Sequence, residues 1–121
     1  MTDLSTTTRR TPTGPVVEIA GDLDFHSASR ARSVLLGQDL DPGQLLVVDL
    51  TALTFCDSTG ITLLVAARNH ALSRRADIAL AGVPAGVARI FDVTGLTRVF
   101  ATHPTVGDAV ARWVGGTEGG A

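Results

Sequence analysis

The sequence predicts an α/β domain built on a largely parallel sheet with helical crossovers. Three observations carry that expectation. After an opening hairpin pattern, strand-like runs alternate with segments of helical spacing, the order that produces parallel strands joined by helices. The run "LLVVDL" is apolar without interruption, as a strand covered on both faces is. Finally, 121 residues with 45% apolar content suit one core and leave little room for a second.

Taken in order, "STTTRR" is rich enough in Thr for a short edge strand, and "TPTGP" reads as a turn. "VVEIA" (16–20) is a strand closed by Gly21. A helix is expected from about Ser27 to Gln38, with Ala28, Ala31, Val34 and Leu35 on one face and His26 or Ser27 as its cap. "DPGQ" turns the chain into the strand Leu45 to Leu50, and "TALTFC" reads as a short bridge. The next helix begins in "DSTGITLLVAARNHALSRR", with Ile61, Leu64, Val65 and Leu72 as its apolar stripe. Asp57 at its start and Arg68, Arg74 and Arg75 toward its end match the helix dipole. "ADIALAGV" is the following strand. "PAGVARIFDVTGL" is a helix with Pro84 in its first turn, Val87, Ile90 and Phe91 pointing inward, and Gly95 as its stop. "TRVFAT" is expected as the last strand and "TVGDAVARWV" as the last helix, burying Val106, Val110 and Trp113. The tail "GGTEGGA" (115–121) is expected to be disordered.

Composition removes several function classes. All ten basic residues are Arg, and the formal net charge is −2. Without Lys there is no P-loop lysine, no Schiff-base amine and no lysine-assisted aspartyl-phosphate site, although Asp57 follows a strand-like run. Four Phe, one Trp and no Tyr, without a basic face, argue against a nucleic-acid surface. Cys56 is the sole cysteine and cannot form an internal disulfide or a CxxC pair. His26, His70 and His103 are too scattered for metal-ligand spacing. No apolar stretch has the length of a membrane span or the form of a leader, so the expectation is a cytoplasmic protein.

The segment "CDSTG" admits two readings. Asp57 can cap the helix by accepting the amide of Thr59 or Gly60, with Ser58 and Thr59 as ordinary first-turn residues. Alternatively, a hydroxyl in the first turn lies beside free amides and the positive end of the dipole, where a phosphate can be attached. Gly60 would then let a partner approach closely. Cys56 reads as a small buried hydrophobe, with a reactive thiol as the alternative. "GDLD" (21–24) is either a turn with solvated acids or a carboxylate contact for a partner's Arg.

Together, "VVEIAGDLD", "LLVVDLTALTFCDSTGITLLVAA" and "IFDVTGLTRVFATHPTVGDAVA" resemble, in order and spacing, the STAS domains of bacterial anti-sigma-factor antagonists, over about residues 4–114. The resemblance implies a small mixed sheet of four to five strands with about four helices packed mainly on one side. It implies a regulatory protein without catalysis or cofactor, whose partner is an anti-sigma factor that is also a serine kinase with a histidine-kinase-like ATP fold. Binding frees the sigma factor, phosphorylation ejects the antagonist, and a PP2C-type phosphatase restores it. The phosphoacceptor position corresponds to Ser58, with Thr59 second. The partner-binding positions correspond to Gly21, Asp22, Leu23, Asp24, Asp57, Thr59, Gly60 and Ile61. Two departures stand out: "DSTGIT" replaces the usual "DSTGLG", and "GDLD" the commoner "GELD". A second implied role is a STAS subunit docking on a membrane lipid-transport ATPase, with the Ser/Thr loop as a contact surface only. An enzyme acting through Cys56 or Asp57 would need a base, lysine or metal cluster that the sequence lacks.

Overall fold

The computed structural model describes residues 3–120, with side chains through Trp113. The elements run β1 (Ser5–Thr11), β2 (Gly14–Leu23), α1 (Ala28–Leu36), β3 (Leu45–Asp49), β4 (Leu53–Cys56), α2 (Ser58–Ser73), β5 (Asp77–Ala81), α3 (Ala85–Thr94), a 3-10 turn (Leu96–Arg98), β6 (Ala101–His103) and α4 (Val106–Gly120). The sheet order is β1-β2-β3-β5-β6, with β4 paired to β2. Only β1 and β2 are antiparallel; the other pairings are parallel. The expected α/β class and mixed sheet are therefore present, with six strands instead of four to five. The tail expected to be disordered over 115–121 falls within α4 as far as Gly120, and residue 121 lies outside the described residues.

The unbroken apolar run of β3 is explained by its position. Leu46 and Val48 enter one core with Ile78 and Leu80 of β5, whereas Leu45 and Val47 enter a second with Ala79 and Ala81. Side chains alternate across a strand, so a central strand must be apolar on both faces. Helices α1, α2 and α3 close the first face through residues such as Leu35, Leu64 and Phe91. Helix α4 closes the second through Ala109, with Val106, Val110 and Trp113 packed alongside. The indole Nε1 of Trp113 donates to the Gly43 carbonyl at 3.1 Å, which ties α4 across the sheet.

Several local expectations are corrected. "TALTFC" contains a strand, β4, whose four residues have buried ends and exposed Thr54 and Phe55, too short for a period to register. Its pairing carries β2 past Gly21 to Leu23, with a register shift between Gly21 and Asp22. On α2 the buried face is Gly60, Leu63, Leu64, Ala67 and Ala71. Leu72 is exposed, and Ile61 and Val65 are only partly buried. The stripe is rotated because small residues, which add little hydropathy, let the helix lie close to the sheet. Pro84 opens α3 as its N-cap, and Ile90, expected to point inward, is exposed while Val87 and Phe91 are buried. Gly95 does stop that helix, in the left-handed conformation at φ 78°. "TRVFAT" is not a strand throughout: a 3-10 turn turns Phe100 into the core, stacked on Phe91 at 5.6 Å, and β6 starts only at Ala101.

Phe91 fills the space between α3 and the first core, so Phe91→Ala should destabilise the fold by about 3–5 kcal/mol. The check is the urea midpoint, with the slope of the transition unchanged.

Candidate functional site

Parallel strands with helical crossovers gather loops at their C-terminal ends, where α/β sites form. Here the ends of β2 and β4 lie side by side, paired at Leu23 and Cys56. The chain leaves β2 through Asp24 to Ser27 into α1, and leaves β4 through Asp57 into α2. Segments 21–27 and 57–61, separate in sequence, are thereby neighbours.

Asp57 joins them. Its backbone N–H donates to the Leu23 carbonyl at 3.2 Å. One carboxylate oxygen accepts the Gly60 N–H at 3.1 Å, which makes Asp57 the N-cap of α2. The other accepts the Phe25 N–H at 3.2 Å. The facing loop has its own framework. Asp24 accepts the N–H groups of His26 and Ser27 at 2.9 and 3.1 Å, and the Ser27 hydroxyl donates to the Asp22 carbonyl at 2.8 Å. The Thr54 hydroxyl donates to the Asp22 carboxylate at 2.6 Å. Ser27 stands at the N-cap of α1 but makes no side-chain cap there.

Burial divides the nine residues singled out from the sequence. Ser58 is exposed; Asp22, Asp24, Asp57, Thr59 and Ile61 are half-buried; Gly21, Leu23 and Gly60 are buried. Gly60 therefore serves an internal close approach, since a Cβ there would come within 2.6 Å of Cys56 Sγ and 2.9 Å of Leu23 Cγ. Gly21 has φ 92°, and a Cβ on it would run into the Asp3 carbonyl oxygen. These buried residues shape the surface that the others present. Thr59 turns into a cleft of about 200 Å³ between α1 and α2, lined also by Ser29, Arg32 and Thr62.

Two features escaped the sequence reading. Phe25 is 75% exposed directly after "GDLD", and an aromatic in a polar loop was the signal for it. The second is a groove of about 300 Å³ between β4 and α3, lined by Leu53, Phe55, Pro84, Val87 and Ile90 among others. It depends on β4 existing as a strand, which no local pattern announced.

The site is acidic. Asp22, Asp24 and Asp57 lie within it, while neither 21–29 nor 51–67 contains a basic residue other than His26. Burial, and then the Asp57 charge, push the Cys56 thiol from 9.0 up to about 11, so at neutral pH it is a packed hydrophobe and a poor nucleophile. Among the described residues no group of His, Cys, Asp and Glu could hold a metal ion, and no helix is long and apolar enough to cross a membrane.

Comparison with known proteins places this geometry. Residues 5–109 match the STAS domain family. The anti-sigma-B factor antagonist of Listeria monocytogenes is 30% identical over 81 residues, 67% of this chain and 71% of its own length. The crystal structure of an anti-sigma factor antagonist from Mycobacterium paratuberculosis has a TM-score of 0.78 at 24% identity, covering 91% of this chain and 93% of the other. The Bacillus cell fate determinant SpoIIAA in its phosphorylated form has a TM-score of 0.68 at 18% identity, covering 89% and 98%.

Gly60→Ala should destabilise the fold by about 1–3 kcal/mol through overpacking against β2, read as a lowered denaturation midpoint. The thiol of Cys56 should resist alkylation at pH 8 in the folded state and react freely once unfolded. Its folded pKa is raised above the unfolded value, so its contribution to stability is complete below pH 9 and is lost as pH rises through about 11. Comparing denaturation midpoints of wild type and Cys56→Ala across that window checks the sign.

Proposed function

The chain belongs to the STAS domain family, and from that premise we propose that it is an anti-sigma factor antagonist switched by phosphorylation at Ser58. The observation that carries the reading is the presentation of Ser58. It is the exposed first residue of α2, directly after a capping carboxylate that also ties down the facing loop. Relatives bearing the name anti-sigma-B factor antagonist support the class of function.

In the unphosphorylated state the protein binds a serine-kinase anti-sigma factor through the surface around Ser58, flanked by Asp22, Asp24, Asp57, Thr59 and Ile61, and so frees the sigma factor. The kinase then transfers a phosphoryl group to the Ser58 hydroxyl, and a PP2C-type phosphatase removes it. The protein contributes no catalytic group; it is the substrate of both enzymes.

The physics of the switch follows from the local charge. A phosphate brings about −1.5 to −2 charges into a region that already holds three carboxylates, with Arg32 lining the cleft beside Thr59. The first-turn amides of α2 offer some compensation, but Gly60 N–H is committed to Asp57. With a partner seated on Ser58, that charge must be buried among the three carboxylates or the complex must open, and a buried, poorly compensated charge costs several kcal/mol. Thr59 is the weaker acceptor because its side chain turns into the α1–α2 cleft.

Titrating a purified anti-sigma factor kinase with wild type, Ser58→Ala and Ser58→Asp tests the reading. Wild type and Ser58→Ala should bind alike, Ser58→Asp should bind roughly 100-fold more weakly, a loss of about 2.7 kcal/mol, and ATP should label wild type alone. Equal binding of all three would overturn the switch. Capture of a transport ATPase in place of the kinase would overturn the functional class.

A further inference from the structure

Phe25 is the more exposed of two phenyls near the site that belong to no core, the other being Phe55 at 52%. It is 75% exposed, in edge contact with the His26 ring at 5.8 Å and 82° between planes. By contrast, Phe91 and Phe100 are buried and stacked on each other. An exposed phenyl on a slack loop would mean little, but this loop is held. The Phe25 N–H is bound by Asp57, the next two N–H groups by Asp24, and the Ser27 hydroxyl by the Asp22 carbonyl. A side chain presented on a pre-ordered backbone loses less entropy on binding than one on a mobile loop. Aromatic anchors of this kind carry a large share of interface affinity.

Charge narrows the occupant. The stem of the loop carries Asp22 and Asp24, with Asp57 behind it, and residues 21–29 hold no Arg, the first being Arg30 and Arg32 on α1. A surface that receives Phe25 must therefore pair an apolar socket with basic groups on the Asp22–Asp24 side. Asp57 is also the residue immediately before Ser58, and the same carboxylate caps the helix that presents it. Whatever seats Phe25 is thus in register with Ser58.

We propose that Phe25 is the anchor through which this site engages its anti-sigma factor, entering an apolar socket with a basic rim. Asp57 is the positioning residue that holds the anchor in register with Ser58. The proposal rests on the functional reading above and adds to it the side chain that sets partner choice. Asp57 has one oxygen for each loop, so the two roles can be separated. Asparagine keeps an acceptor for Gly60 N–H but places an amide N–H₂ where the second acceptor was.

The test titrates a purified anti-sigma factor of histidine-kinase-like ATP fold from the same genome with wild type, Phe25→Ala, Phe25→Leu, Asp57→Asn and Glu18→Ala. Hydrogen exchange is followed on the free full-length proteins. Phe25→Ala should weaken binding roughly 30-fold without lowering the thermal midpoint, Phe25→Leu should recover part of the loss, and Glu18→Ala should match wild type. Asp57→Asn should accelerate exchange at the Phe25 amide roughly tenfold while the Gly60 amide stays protected. Binding of Phe25→Ala within twofold of a wild type that does bind overturns the anchor and leaves the functional reading standing. Equal exchange at the Phe25 amide in wild type and Asp57→Asn overturns the positioning role, whatever the partner. A wild type that binds no such factor overturns the functional reading and the anchor together, and that arm is decided before any variant is compared.

Discussion

The start of α2 can lie against the end of β2 only because residue 60 has no side chain. A Cβ there would also come within 3.0 Å of the Leu23 carbonyl oxygen, so any larger residue would lift the helix off the strand. The polar geometry of the site depends on that closeness. It brings the Asp57 N–H to the Leu23 carbonyl and its carboxylate to the Phe25 N–H. Ser58 is then delivered to the surface at a fixed position relative to the neighbouring loop.

The sheet supplies the other half of the constraint. Three helices cover one face, whereas α4 covers only the strip of the other formed by Val16, Leu45, Val47, Ala79 and Ala81. Beyond that strip the face turns polar, as the exposure of Glu18 shows. β2 also changes neighbour partway along, pairing with β3 at Val16–Glu18 and with β4 at Gly21–Leu23. This handover places two strand ends together, and with them two loops that the chain order keeps more than thirty residues apart. A site built this way is rigid where it joins the core and exposed where it meets solvent, which suits recognition of a macromolecule.

Electrostatically the site and the rest of the molecule are unlike. The arginines are spread over β1, α1, the second half of α2 and the residues after it, α3, the 3-10 turn and α4, while three aspartates gather at the strand ends. Each oxygen of the Asp57 carboxylate accepts an amide N–H at the N-terminus of a helix. At the neighbouring Cys56, burial and then the Asp57 charge disfavour a thiolate. One small region thus holds a hydrogen-bonded carboxylate, a buried thiol and the exposed Ser58.

Much of this was legible in the residues themselves. The run Leu45–Val48 announced a strand buried on both faces, Gly95 announced a helix stop, and Asp57 before "STG" announced a cap; each is a local signal, set by alternation, backbone freedom or a side chain within reach of its own amides. What depended on partners distant in the chain was not legible. Strand β4 exists because β2 pairs with it. The buried face of α2 runs through Gly60, Ala67 and Ala71 because a sheet lies close beneath, and hydropathy discounts such small residues. Gly60 looked like room left for a partner, but its space is filled by Leu23 and Cys56. The second acceptor role of the Asp57 carboxylate, toward Phe25, spans 32 residues. The sequence by itself determined the α/β class, the capped helix and the hydroxyl in its first turn, because neighbours in the chain decide these. Only the tertiary structure decided which loop faces that hydroxyl and which aromatic stands beside it, because those depend on strand pairing and on the close approach that a missing side chain permits.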